Sequence, residues 1–186
     1  MVRTFNMIGM GSAYSLSSSR WWKLAVFICQ RGLEFGKRRE YIMSEQENIK
    51  AAHAIFDAWN ADDLSKIDPY EANDLIAEQP GTAGPMNREQ NRMYVQNFLT
   101  AFPGSKFEVL LTLTQGDYVV SHWKVSGGVH SNPLRTPSGG SIPPTGKTVT
   151  VVGSMTALVK DGKIIHSWAF WDMASLLGQL GLLPPM

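Results

Sequence analysis

Between residues 44 and 60 the apolar side chains fall at Ile49, Ala52, Ile55, Phe56 and Trp59. A spacing of three or four puts them on one face of a helix. Ser44 and Glu47 stand at capping-box distance and mark its start. A second short helical turn follows around Leu64 and Ile67 and ends at Asp68-Pro69. Residues 70–86, broken by Gln79-Pro80-Gly81 and Gly84-Pro85, read as a mobile loop. Asn87 is placed to cap a further helix with Met93, Val95, Phe98 and Ala101 inside it, stopped by Pro103-Gly104. The period then falls from about 3.6 to two, the mark of strands. Phe107, Val109, Leu111 and Leu113 alternate along the first, and Gln115-Gly116-Asp117 turns into a second at 118–125. After a long Pro/Gly/Ser loop at 131–146, a Val/Thr-rich strand at 147–160 turns at Asp161-Gly162 into a strand at 163–171. Leu176, Leu177, Leu180 and Leu183 give the tail a helical stripe before Pro184-Pro185. Three helical pieces followed by four mostly antiparallel strands is an α+β order.

With 186 residues, 44% of them hydrophobic and 18% charged, the chain suits one folded domain and excludes a coiled coil, collagen or wholly disordered composition. Cys29 is the single cysteine, which excludes an internal disulfide, and no Cys/His spacing suits a zinc site. The net charge of +1 is unevenly spread. Residues 1–42 carry seven basic and two acidic groups, and the remainder carries ten and fourteen. Residues 1–43 therefore read as a basic extension, disordered around the Ser-rich stretch 11–19, and 44–186 as the domain. The apolar patch from Trp21 to Cys29 is interrupted by Lys23 and is too short to span a bilayer, and Arg31 to Arg39 is unlike a signal-peptide cleavage region. The extension suits an added upstream segment first, and a transit peptide or an amphipathic anchor second. A cytoplasmic location is expected. The mildly acidic body lacks the basic footprint that nucleic acid requires.

Several ordered motifs resemble one family. Phe56-Asp57-Ala58-Trp59-Asn60-Ala61, Ile142-Pro143-Pro144-Thr145-Gly146-Lys147, Asp161-Gly162-Lys163-Ile164 leading to His166-Ser167-Trp168, and Trp171-Asp172-Met173 followed by Leu176-Leu177-Gly178-Gln179-Leu180-Gly181 are similar to the SnoaL-like polyketide cyclases, or ester cyclases. The resemblance spans roughly residues 46–184. It implies the NTF2-like cone, a curved antiparallel sheet wrapped around the N-terminal helices and enclosing an apolar pocket. It also implies cofactor-independent ring closure of a polyketide ester by intramolecular aldol condensation, with an aspartate as acid and base and no metal. Two segments differ from the family pattern. Asp74-Leu75-Ile76-Ala77-Glu78 stands where relatives often carry an aspartate-histidine pair, and Gly127-Gly128-Val129-His130 stands in place of Gly-Thr-His.

Alternation along the last strand sends His166, Trp168, Phe170 and Asp172 to one face. If that face lines the cone, an apolar wall would raise the Asp172 pKa and suit it to exchange protons with a carbon acid. The competing role for Asp172 is the N-cap of the final helix, bonded to the amide of Ala174 or Ser175. His130 is a candidate for polarising a carbonyl or holding the aspartate. Trp59, His166, Trp168 and Phe170 are candidates for binding a flat ligand, and the resemblance adds Tyr70 and Asn73 from the segment that closes over the pocket in relatives. The expected partners are a polyketide-like or aromatic ester and a second copy of the chain, joined through the outer sheet face at Trp123, Val152 and Leu158. Two other functions use the same fold: a dimeric carrier that does no chemistry, and an isomerase or epoxide hydrolase.

Overall fold

The computed structural model describes residues 44–136 and 139–183; the basic extension 1–43 and Pro184-Pro185 lie outside them. Helix α1, residues 44–60, is helical over the range its periodicity predicts. Ala51, Ala52, Ala54 and Ala58 are buried beside Ile55 and Phe56, and these small side chains let the helix lie close against the sheet. Both of its ends are pinned by polar side chains. Near the start, Asn48 Nδ2 donates to the Gly116 carbonyl at 3.1 Å, and Glu45 accepts from the Gly116 amide at 3.2 Å. At the other end, Asn60 takes both backbone groups of Phe107, each at 2.8 Å.

A 3₁₀ turn at Leu64–Tyr70 leads into β1 (Glu71–Glu78) and the short β2 (Met86–Asn87). The mobile loop expected at 70–86 is thus largely replaced by strand. β1 pairs in parallel with β8 (Lys163–Trp171), Ile76 lying opposite His166 and Ala77 opposite Ser167. A partner ninety residues away leaves no local trace, and a register irregularity between Glu71 and Ile76 disrupts the alternation that would show a strand. Helix α2 (Arg88–Ala101) starts in a capping box formed by Asn87 and Gln90. Val95, Leu99 and Ala101 turn inward, whereas Met93, expected inside, is 60% exposed.

The remaining long strands are β3 (Lys106–Gln115), β4 (Tyr118–Ser126) and β7 (Val151–Lys160). Between β4 and β7 the loop holds a two-residue ladder, β5 (Leu134–Arg135) with β6 (Ser141–Ile142). The six-stranded sheet runs β2-β1-β8-β7-β4-β3, all antiparallel except β1 with β8. It is the α+β cone that the family resemblance implies, with a mixed rather than purely antiparallel sheet. A bulge between Val109 and Leu111 breaks the expected common face of β3. Phe107 and Val109 pack on the core, whereas Leu111 and Leu113 are more than half exposed on the other side. The turn at Asp161-Gly162 has positive φ at both residues, +50° and +71°, as the tight hairpin requires.

Helix α3 (Met173–Leu180) closes one end, capped by Asp172 and stopped by Gly181 in the left-handed conformation. Leu176 and Leu180 anchor it to Phe102, Val149 and Val151 in a second apolar cluster. Among the described residues no helix is long and apolar enough to cross a membrane.

Candidate functional site

Where the α1 cluster meets the α3 cluster, the sheet and α2 border a partly open cavity of about 90 Å³. Its walls are aromatic. Trp59 from α1, Phe107 from β3 and Trp123 from β4 form one side, with centroid separations of 4.9 Å between the first two and 5.8 Å between the last two. Tyr94, Phe98 and Phe102 line the side made by α2, and Phe98 meets Trp171 edge-on at 5.3 Å. Ala169, Val149, Val151 and Leu176 complete the apolar lining. Gln79, Ser105 and the Tyr94 hydroxyl are the polar points. Tyr94 donates to the Pro80 carbonyl at 3.1 Å and Ser105 to the Phe102 carbonyl at 2.8 Å. Burial pushes the Tyr94 phenol above its ordinary pKa, with the Trp171 side chain opposing, so it serves as a neutral donor. The lining includes no carboxylate, histidine, lysine or arginine among the described residues.

Of the site residues expected from sequence, Trp59 lines this cavity. β8 alternates as expected, but with the opposite face inward. Ser167 and Ala169 are buried, while Phe170 is 69% exposed. The small inward residues leave room for α1 and for the cavity, so the bulky Trp168 and Phe170 lie on the outer face. His166 shares that outer side, stacking on Trp168 at 3.8 Å and bonding Glu78 at 2.9 Å. Asp172 is exposed, and its carboxylate accepts from the Ser175 amide at 2.8 Å, which is the capping geometry. It follows Trp171 in the chain but is not part of the lining.

His130 is fully buried one layer behind the wall, stacked on Phe102 at 4.8 Å. Its Nδ1 is 3.1 Å from the Thr145 hydroxyl, and its Nε2 is buried without a hydrogen-bond partner. Burial holds the imidazole below the ordinary histidine pKa, with the Asn132 backbone opposing. Tyr70 packs on the α1 cluster. Asn73 is exposed and accepts from Arg88 Nη1 at 3.1 Å. Neither lines the cavity. Trp123, expected at an intersubunit contact, is 5% exposed and faces inward. The lining residues not singled out from sequence include Tyr94, Phe98 and Phe102, whose spacing of four places them on one helix face. Among the described residues no group of histidine, cysteine and carboxylate side chains could hold a metal ion.

The fold is shared with solved structures. AclR from Streptomyces galilaeus, described as a candidate hydroxylase, superposes with a TM-score of 0.66 at 24% identity, over 76% of this chain and 89% of that one. IdmH from Streptomyces antibioticus, described as a candidate polyketide cyclase, gives a TM-score of 0.61 at 27% identity over 72% and 98%. A SnoaL-like protein from Jannaschia gives 0.64 at 18% identity over 76% and 95%. No curated protein matches the chain in sequence. The profile of the SnoaL-like polyketide cyclases matches residues 49–180, which spans α1 through α3 and every wall of the cavity, and the chain belongs to that family.

Proposed function

We propose that the chain binds a planar, uncharged aromatic or polyketide-like ester in the aromatic cavity and closes a ring on it by intramolecular aldol condensation. The observation that carries this reading is the lining of seven aromatic side chains with neutral polar points at Gln79, Ser105 and Tyr94. Such a site favours flat apolar ligands and orients them by a few hydrogen bonds. In the reaction the substrate loses a proton from the carbon next to a carbonyl, and that carbon then bonds to a second carbonyl carbon. The alkoxide formed takes up the proton. The proposal assigns this transfer to the protein's own side chains, with no metal or organic cofactor. Asp172 is the proposed carrier: it follows the lining residue Trp171, and to reach the substrate it would have to leave its cap on Ser175. His130 is proposed to act through Phe102, which it backs. The working unit is proposed to be residues 44–186, as a cytoplasmic homodimer joined through the outer face of the sheet.

A second reading is favoured by one specific observation, the lack of a carboxylate or histidine in the lining. On that reading the cavity holds its ligand without turnover. Incubation with aromatic polyketide esters separates the two. A cyclised product, seen as a changed chromatographic retention and absorbance, supports the cyclase; saturable quenching of tryptophan fluorescence without product supports the carrier.

A further inference from the structure

The aromatic cavity measures about 90 Å³, whereas pockets that take drug-sized ligands span roughly 300–1,000 Å³. A polyketide-like ester fits inside only if a wall gives way, because close-packed interiors have little compressibility. The walls made by the sheet, α1 and α2 are firmly held. Strands β3, β4, β7 and β8 pair along their length. Helix α1 is pinned at both ends by Glu45, Asn48 and Asn60. Helix α2 is tied to Glu71 through Arg88 and Arg92, to Pro80 through Tyr94 and to Arg135 through Asn97.

Helix α3 supplies Leu176 to the lining and is held differently. It has eight residues, a length at which a helix is marginal by itself, and Gly178 weakens it further. Packing does not require that glycine, since an added Cβ would meet nothing within 4 Å. Leu176 and Leu180 rest on the apolar cluster of Phe102, Val149 and Val151. At the start of the helix the Asp172 amide donates to the Val152 carbonyl at 3.2 Å. Beyond that bond, the hydrogen bonds from α3 to the sheet side among the described residues come from one side chain. Gln179 Oε1 accepts from the Thr150 amide at 2.8 Å, and Gln179 Nε2 donates to the Thr150 carbonyl at 2.8 Å. The side-chain amide thus bonds Thr150 as a neighbouring strand would. Thr150 stands between Val149 and Val151, both in the cavity lining. Gln179 Nε2 also donates to Ser175 Oγ at 2.9 Å, one turn earlier in α3, which orients the amide.

We propose that α3 is the movable wall of the ligand site and that Gln179 is its latch, a positioning residue that keeps the cavity small until a ligand displaces the helix. This rests on the reading of the cavity as a ligand site and adds how a ligand larger than the cavity is admitted. It also fixes the sign of a substitution. A latch stabilises only the closed state, so removing it raises the open fraction and with it the apparent affinity. Removing a side chain that merely shapes the wall would leave the affinity unchanged or lower it.

Titration of the full chain with methyl 2-naphthoate, followed by quenching of tryptophan fluorescence, tests the proposal. Gln179→Met keeps the length of the side chain and removes its hydrogen bonds. It is expected to bind the ester roughly tenfold more tightly than the unaltered chain, the span of about two ordinary hydrogen bonds. Ser175→Ala leaves the amide that Asp172 caps and takes away the group that orients Gln179. It is expected to shift the affinity in the same direction by roughly threefold, and it carries the test should Gln179→Met fail to fold. Equal or weaker binding in a folded variant would overturn the latch while leaving the cavity as a ligand site. Binding by the variants alone would support the latch, as the extreme of the same shift. Quenching in none of these proteins would overturn both.

Discussion

The indole of Trp123 lies across the backbone of Gly153, its partner on the neighbouring strand. A Cβ added to Gly153 would stand 2.4 Å from Cζ2 of the ring and 2.8 Å from the Phe170 carbonyl oxygen. The glycine is there for close approach. It lets a tryptophan lie flat enough to form a cavity wall without filling the cavity.

Gly153→Ala is therefore expected to destabilise the domain by about 1–3 kcal/mol, the usual cost of overpacking. The Phe170 backbone cannot move without disturbing β8, so the indole must shift into the cavity. Denaturant unfolding followed by tryptophan fluorescence measures the loss, and unchanged stability would show that the ring has free space on its other side.

Substitution at Asp172 separates capping from proton transfer. Asparagine caps as well as aspartate, so Asp172→Asn is expected to leave the melting temperature nearly unchanged, whereas Asp172→Ala should cost about 1 kcal/mol. If Asp172 carries the proton as proposed, the asparagine variant loses turnover by roughly two orders of magnitude or more with little change in binding. Full turnover in Asp172→Asn would remove it from the mechanism.

His130 makes stability depend on pH. Its folded pKa is below that of the unfolded chain, so between the two values the unfolded state binds more protons and stability rises with pH. The contribution is whole above about pH 6.5 and is lost as pH falls toward the folded value. His130→Phe keeps a ring against Phe102 and removes the titration. The stability difference between the two proteins is expected to be flat above about pH 6.5 and to change below it by at most about 1.4 kcal/mol per pH unit. A difference independent of pH down to the acid transition would contradict this.

The outer sheet face carries Val152 at 45% exposure and Phe170 at 69%, beside Trp168 and Leu158. A homodimer covering this face is expected to become monomeric in Phe170→Lys/Leu158→Lys, with the fold retained. Light scattering at micromolar concentration reads the mass directly, and a monomer from the unaltered chain would end the dimer proposal.

The parts of this fold written locally are legible in the sequence. The stripe of α1, the cap at Asn87 and the Asp161-Gly162 turn each depend on residues a few positions apart, and each forms where its pattern places it. β1 is not legible, because its strand character comes from β8. The alternation of β8 is plain, but which face turns inward is a matter of volume. Ser167 and Ala169 yield space to α1, and no count of hydrophobic residues favours them over Trp168 and Phe170. The same holds for the site. The aromatic stripe Tyr94, Phe98, Phe102 can be read from its spacing, whereas Gln79 joins the lining through β1, which packs with α2 and pairs with β8.

The parallel pairing of β1 with β8 also sets an order of events during synthesis. Ile76 cannot meet His166 until ninety further residues have been made, about 5–18 s at the pace of a ribosome. Until then α1 and β1 are on the chain without the strand that completes their cover, and their apolar faces are open to chaperones and to other nascent chains. A transcript cut short before the codon for Ala169 would yield a product that has every helix of the α2 side yet cannot close its sheet, one to be cleared by proteolysis rather than stored as a smaller folded form.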